Sequence, residues 1–145
     1  MEYVREDAPL VADAQVLMNA ACAATGLNDF GPDDSYREGL DVLLRDVAAL
    51  GDHPQLQAET LGRIVELLAT RLRIAEDDRK HPEIRDVVIE RPMFILGLPR
   101  TGTTITFDMM SQDPGARYPR EWEWPMPWPA TQAATIDDDP RIGAM

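Results

Sequence analysis

Met93-Phe94-Ile95-Leu96 is a compact apolar run closed in by Pro92 on one side and Gly97 on the other. It is too short for a helix of useful length, and its flanks punctuate it, so it reads as a buried strand. The sequence then runs Gly97-Leu98-Pro99-Arg100-Thr101-Gly102-Thr103-Thr104, and Ile105, Phe107, Met109 and Met110 follow at helical spacing up to Gln112-Asp113-Pro114-Gly115. The unit is therefore strand, glycine-containing turn, helix. A parallel strand of this kind needs neighbours to satisfy its backbone and cover both faces. Val87-Val88-Ile89 is the one weak candidate nearby.

The rest of the chain is organised differently. Eight of the twelve prolines and all three tryptophans lie beyond residue 83, whereas almost everything before it is helical. A first helix is expected from Leu10 to Ala24, stopped by Gly26, with Val11, Ala14, Leu17, Met18 and Cys22 on one face. A second begins at Ser35, where Ser35 and Glu38 have the spacing of a capping box. Its stripe is Leu40, Leu43, Leu44, Val47 and Leu50, and Gly51 ends it. Asp52-His53-Pro54 opens a third, with Pro54 at the first helical position. Leu61, Ile64, Val65, Leu68, Leu72 and Ile74 form its core face, and it is expected to fray through Glu76 to Lys80. Such helices pack into an antiparallel bundle. The expected division is a helical region over 1–83 and the start of an α/β domain over 84–145.

Charge and cysteine usage narrow the function classes. A net charge of −12 opposes non-specific binding to nucleic acid or to an anionic membrane surface. It leaves room for a local anion pocket made of a few arginines and backbone N–H groups. Cys22 is the only cysteine, so neither an intrachain disulfide nor a cysteine metal cluster is available. His53 and His81 each precede a proline at a helix boundary and lack metal-ligand spacing. The acidic start Met1-Glu-Tyr-Val-Arg-Glu-Asp has no apolar stretch of a signal peptide, and no run approaches membrane-spanning length. A cytoplasmic protein is expected.

The turn after the strand has a physical purpose. A helix N-terminus leaves its first N–H groups unpaired and carries partial positive charge. Glycine lets the backbone wrap an anion closely. Thr101, Thr103 and Thr104 add hydroxyls, and Arg100 adds a permanent cation that can fork onto two oxygens. A phosphate or sulfate ester suits this site. Gly97 and Gly102 have the spacing of the nucleotide motif G-x-x-x-x-G-K-[ST], but Thr103 stands where the lysine belongs, which disfavours ordinary ATP or GTP hydrolysis. Asp137-Asp138-Asp139 lacks a preceding apolar strand and reads as a solvated turn before Pro140.

Phe94-Ile-Leu-Gly-Leu-Pro-Arg-Thr-Gly-Thr-Thr104 resembles the 5′-phosphosulfate-binding loop of sulfotransferases that use 3′-phosphoadenosine 5′-phosphosulfate (PAPS). The P-R-T-G-T-T form is similar to a bacterial branch of that family. Thr25-Gly-Leu-Asn-Asp-Phe-Gly, His81-Pro-Glu-Ile and Trp122-Glu123 before a proline-rich stretch look like the same branch. The resemblance implies a P-loop-like α/β sulfotransferase fold, with Pro99, Arg100, Thr101, Gly102, Thr103 and Thr104 cradling the donor's phosphosulfate and no metal. Arg100 occupies the position of the family's loop lysine and would stabilise charge as the sulfuryl group leaves. The acceptor would be a small-molecule hydroxyl or amine.

Sulfuryl transfer also needs a base. In an extended Tyr118-Pro-Arg-Glu121-Trp-Glu123-Trp-Pro segment, Glu121 and Glu123 point to one side and Trp122 and Trp124 to the other. A glutamate desolvated beside indoles has a raised pKa, suited to the task. Glu123 is the first candidate, by its resemblance to the branch pattern, and Glu121 the second. Arg120 would contact the donor or pair with a glutamate. The family's second motif, an arginine and a serine holding the 3′-phosphate, lies well downstream of the loop, and only 41 residues follow Thr104. The expectation is a truncated, N-terminal portion of such an enzyme, inactive alone and prone to self-association through its exposed strand and apolar faces. A non-catalytic helical interaction module with a vestigial anion loop is the alternative.

Overall fold

The computed structural model describes residues 13–51 and 53–144. The chain divides into two compact units, Met1–Ile84 and Arg85–Met145.

The first unit is helical. Helix α1 spans Ala14–Thr25, α2 Tyr36–Ala48 and α3 Pro54–Lys80, followed by a 3₁₀ turn over Pro82–Asp86. Asp13 caps α1 by accepting the Gln15 N–H at 2.8 Å, so the described helix starts later than expected; Leu10, Val11 and Ala12 lie outside the described residues. Gly26, at φ 71°, closes the helix by donating its N–H to the Cys22 carbonyl. Leu17, Met18 and Ala21 of α1 meet Ile64, Leu68, Ala69 and Leu72 of α3, the most extensive helix pairing in the unit. Leu40, Leu44 and Val47 of α2 complete the core with Phe30.

Three local readings are corrected. Ser35 makes no side-chain cap: it already has helical backbone angles, and its hydroxyl donates to Asp33 Oδ2 at 2.8 Å instead. Asp33 Oδ1 also accepts the Ser35 N–H at 2.9 Å, so an acceptor two residues upstream has taken the donor that Glu38 would bind in a capping box. Leu43 and Ile74 face outward, one position before the buried Leu44 and two after the buried Leu72. The charged run Glu76 to Lys80 stays helical because Glu76 takes Arg79 at 2.7 Å and Lys80 at 3.1 Å, the one-turn spacings at which opposite charges support a helix. Hydrogen bonds from Arg79 and Lys80 lower the Glu76 pKa to about 2.

The loop between α1 and α2 is tied to α3 by one side chain. Arg71 donates Nε to the Phe30 carbonyl at 2.9 Å and Nη2 to the Asp33 carbonyl at 2.5 Å. Its guanidinium lies 4.2 Å from the Tyr36 ring centre, and Tyr36 stacks on Phe30 with centroids 5.8 Å apart.

The second unit holds α4, Thr103–Met110, and 3₁₀ turns over Glu121–Glu123, Ala133–Asp138 and Pro140–Ala144. No strand occurs among the described residues, so the expected strands Met93–Leu96 and Val87–Ile89 are not formed. Both segments are broadly solvent-exposed; Phe94 is 78% and Leu96 89% exposed. A strand exists only as one member of a ladder, and no described segment supplies the second member. The helix after the turn does form, ending at Met110 with Ser111 as its C-cap.

The Arg71 tie carries a prediction for the first unit. Arg71→Ala removes charge-assisted bonds to two carbonyls and should lower its stability by about 2 kcal/mol in urea unfolding. An unchanged midpoint would show that the loop holds without it.

Candidate functional site

The turn before α4 folds back on its own start. A Cβ at Gly97 would lie 2.6 Å from Thr101 Oγ1 and 2.7 Å from Thr103 Cγ2, so only glycine admits this approach. Thr101 Oγ1 donates to the Leu98 carbonyl at 2.7 Å, which fixes the tight part of the turn. Arg100 sits at φ 63° and Gly102 at φ 88°, both in the left-handed region; for the arginine this is uncommon backbone, for the glycine it is free. Gly102 is the N-cap of α4, and its carbonyl accepts the Thr106 N–H and the Thr106 hydroxyl, both at 3.0 Å.

The result is a concentration of unspent donors. Among the described residues, no acceptor meets the N–H groups of Thr103, Thr104 and Ile105, the first turn of α4. The Arg100 guanidinium is exposed and has no described partner. Pro99, Arg100, Thr101, Gly102, Thr103 and Thr104 thus form one continuous turn at a helix N-terminus, suited to hold an anion by backbone dipoles, hydroxyls and one cation.

The glutamates lie on a different geometry from the extended one expected. Glu121–Glu123 is a 3₁₀ turn, in which the alternation of an extended segment no longer applies. Trp122 is buried, whereas Trp124 is 73% exposed. Glu121 is exposed. The Glu123 carboxylate is mostly covered: Oε1 accepts from Thr131 Oγ1 at 2.5 Å and Arg117 Nη2 at 2.6 Å, and Oε2 accepts the Arg120 N–H at 2.6 Å. Burial pushes the Glu123 carboxyl up, but the bonds from Thr131, the Arg120 N–H and Arg117 together hold it below the ordinary glutamate value. The expected raised pKa is therefore replaced by a lowered one. Arg117 also donates to the Tyr118 carbonyl. The Arg120 guanidinium stacks 5.0 Å from the Tyr118 ring and pairs with Asp137 at 3.3 Å rather than with a glutamate.

The residue that organises this region was not singled out from the sequence. Arg141 is 8% exposed, and its guanidinium lies 4.5 Å from the Trp122 ring centre. Nε donates to Asp139 Oδ1, Nη1 to the Met126 and Pro129 carbonyls, and Nη2 to Thr131 Oγ1 and Asp139 Oδ2, at 2.7 to 3.2 Å. Every N–H of the guanidinium is used. Asp139 is consequently no solvated turn residue: its side chain is 10% exposed, whereas that of Asp137 is 83% exposed. The one available signal was an acid two residues before an arginine with a stiff proline between them, which does not reveal the distant carbonyls that the arginine reaches.

The histidines stand at the ends of α3, His53 before it without a side-chain cap and His81 after it, paired with Glu83 at 3.1 Å. Among the described residues, no three His, Cys, Asp or Glu side chains are grouped as a metal site, and no helix is long and apolar enough to cross a membrane.

Residues 92–142, which include the turn, both glutamates and Arg141, match the sequence model of the sulfotransferase family. Over 97% of its length the chain is 32% identical to a solved structure, sulfotransferase STF9 from Mycobacterium avium, with a TM-score of 0.81. Over 93% it is 31% identical to sulfotransferase STF1 from Mycobacterium tuberculosis H37Rv, with a TM-score of 0.74. These matches support the sulfotransferase family and a sulfotransferase-like fold. The chain spans 35% of the first of those proteins and 38% of the second. No curated protein matches it.

The Asp139–Arg141 pair has a defined acid limit. Hydrogen bonds from Arg141 lower the Asp139 pKa to about 2, whereas an unfolded aspartate titrates near 4. Its depressed pKa contributes stability that is complete above about pH 4 and lost as the pH falls through about 2. The Trp122 indole resonance should hold its folded position down to about pH 4 and move only below it. Movement already at neutral pH would show that the pair does not hold the turn.

Proposed function

We propose that this chain carries the donor-phosphosulfate loop of a PAPS-dependent sulfotransferase of P-loop-like α/β fold, transferring a sulfuryl group to a small-molecule hydroxyl or amine. The observation that carries this is the Gly97–Thr104 turn, with unspent N–H groups and an unpartnered arginine, inside the segment that matches the sulfotransferase family. The donor set fits an oxyanion and offers no ligand suited to a metal. PAPS, when bound, would supply the sulfuryl group together with a phosphate leaving group.

The chain's own residues have these roles. The N–H groups of Thr103, Thr104 and Ile105 and the hydroxyls of Thr103 and Thr104 would orient the anionic oxygens, while the Thr101 hydroxyl, spent on the Leu98 carbonyl, holds the turn in shape. Pro99 and Gly102 shape the turn. Arg100 would neutralise negative charge that grows on the bridging and phosphate oxygens as the sulfur–oxygen bond breaks. Arginine keeps its proton at any working pH, so its role is electrostatic. The acceptor oxygen or nitrogen attacks sulfur and gives up its proton to a carboxylate, with Glu123 and Glu121 as the two candidates.

The chain covers little more than a third of the matched structures. We therefore place the acceptor pocket and the 3′-phosphate site in residues beyond those present, and expect the chain alone to bind the anion without turnover. The exposed segments 87–89 and 93–98 suit further strands or, without them, a second copy. Sedimentation of the chain alone should show concentration-dependent association; a monomer at all concentrations would contradict this.

Binding tests the donor assignment. Adenosine 5′-phosphosulfate, which carries the donor's 5′-phosphosulfate without its 3′-phosphate, should stabilise the chain against heat more than ATP or free sulfate does. Arg100→Ala should weaken adenosine 5′-phosphosulfate binding by roughly tenfold or more, as expected for one charge-assisted contact, and Arg100→Lys by less. Equal responses to all three anions would favour a helical interaction module with a vestigial loop.

A further inference from the structure

The two glutamates of the Glu121–Glu123 turn differ in what already holds them. Glu121 is exposed, and no described hydrogen bond or ion pair engages its carboxylate. Glu123 accepts from Thr131, Arg117 and the Arg120 N–H, which takes most of the lone-pair directions of a carboxylate. A proton on it would weaken these three bonds, including the one to the Arg120 N–H that fixes the start of the turn.

The direction of these bonds is set from a distance. A guanidinium can only donate, so Thr131 Oγ1 must accept from Arg141 Nη2, at 3.2 Å. The single hydroxyl hydrogen of Thr131 is thereby free to point at Glu123 Oε1, at 2.5 Å. Arg141 is itself oriented by Asp139 and by the Trp122 face. The relay is sourced at Arg141, which donates to Asp139 on one side and to Thr131 on the other, and Thr131 passes that polarity on to Glu123 in the acidic turn. The other charged groups on it are Arg117, on Glu123, and the Arg120–Asp137 pair beside it.

We infer that the relay divides the two glutamates: Glu123 is a positioning residue, committed through Thr131 and Arg141 to holding the turn, and Glu121 is the carboxylate free to exchange a proton with a bound acceptor. The role of Glu121 towards an acceptor rests on the sulfuryl-transfer reading above; the commitment of Glu123 does not.

Carbodiimide-driven coupling of glycinamide, read by peptide mass spectrometry, tests the division, because it reports which carboxyl is accessible and able to take a proton. In the unmodified chain Glu121 should be labelled roughly tenfold faster than Glu123, the ratio that about one net hydrogen bond supplies. Thr131→Val and Arg141→Ala should bring Glu123 up to the rate of Glu121. Thr131→Ser, which keeps the hydroxyl, should preserve the selectivity, a rescue that a loss of packing alone would not give. If Arg141→Ala labels every acidic residue at the rate of the urea-denatured chain, it has unfolded, and the Thr131 pair decides. Equal labelling in the unmodified chain, or a Thr131→Val chain with Glu123 still protected, overturns the inference. Adenosine 5′-phosphosulfate and ATP binding measured on the same samples separates the two ideas. Selective labelling without a preference for adenosine 5′-phosphosulfate sinks the sulfotransferase reading and the acceptor role of Glu121, while the relay stands.

Discussion

The second unit depends on one buried cation. Trp122 is its one buried apolar side chain among the described residues, and Arg141 is its one buried charge, stacked on that ring. A segment with so little apolar burial cannot be held by the hydrophobic effect alone. Arg141 compensates by tying the Met126 and Pro129 carbonyls, Thr131 and Asp139 to one planar group. A desolvated guanidinium is costly unless every N–H has a partner. Here each does, and removal of any one partner leaves a buried donor unmet. That requirement gives the proline-rich stretch a defined path and determines where the acidic turn sits.

The first unit was largely legible in the sequence because its determinants are periodic and local. Leu40, Leu44 and Val47, like Ile64, Leu68 and Leu72, recur at the helical period, and such stripes survive wherever the helices pack. Errors arose where a second local partner competed. Asp33 took the Ser35 N–H that the expected capping box assigns to Glu38, and Glu76 turned a run expected to fray into a stabilised last turn. Each error is a choice between two nearby partners of similar strength, which spacing alone cannot rank. The strand at Met93–Leu96 failed for the opposite reason. Its local sequence is strand-like, but a strand is defined by its neighbour, and the described residues supply none.

The same contrast separates the two parts of the candidate site. The anion turn was legible because backbone and adjacent residues build it: Gly97 admits the close approach of Thr101 and Thr103, and Gly102 supplies the left-handed angle that starts α4. The glutamate turn was not, because its geometry is imposed by residues eight to eighteen positions further on, from Thr131 to Arg141. Reading Glu121 to Glu123 as extended followed from the residues themselves; the 3₁₀ turn follows from Glu123 reaching back to the Arg120 N–H while Thr131 holds its other oxygen.

On the proposed reaction, this difference in origin would separate donor binding from proton transfer within one short stretch of chain. Substitutions along Thr131 to Arg141 act on the orientation of the acidic turn, but none of the bonds that shape Gly97–Thr104 passes through them. Substitutions at Gly97 or Arg100 act on the turn itself and leave the relay's partners in place. A loop whose donors are fixed by its own backbone keeps its affinity for an oxyanion over wide changes elsewhere. A carboxylate oriented by a chain of side chains can be retuned by one conservative change far along the sequence. On the proposed reaction, donor recognition would then be the rigid half of the site and acceptor activation the adjustable half. An unusual backbone angle at Arg100 fits the first, since its cost is borne locally, and the unengaged carboxylate of Glu121 fits the second.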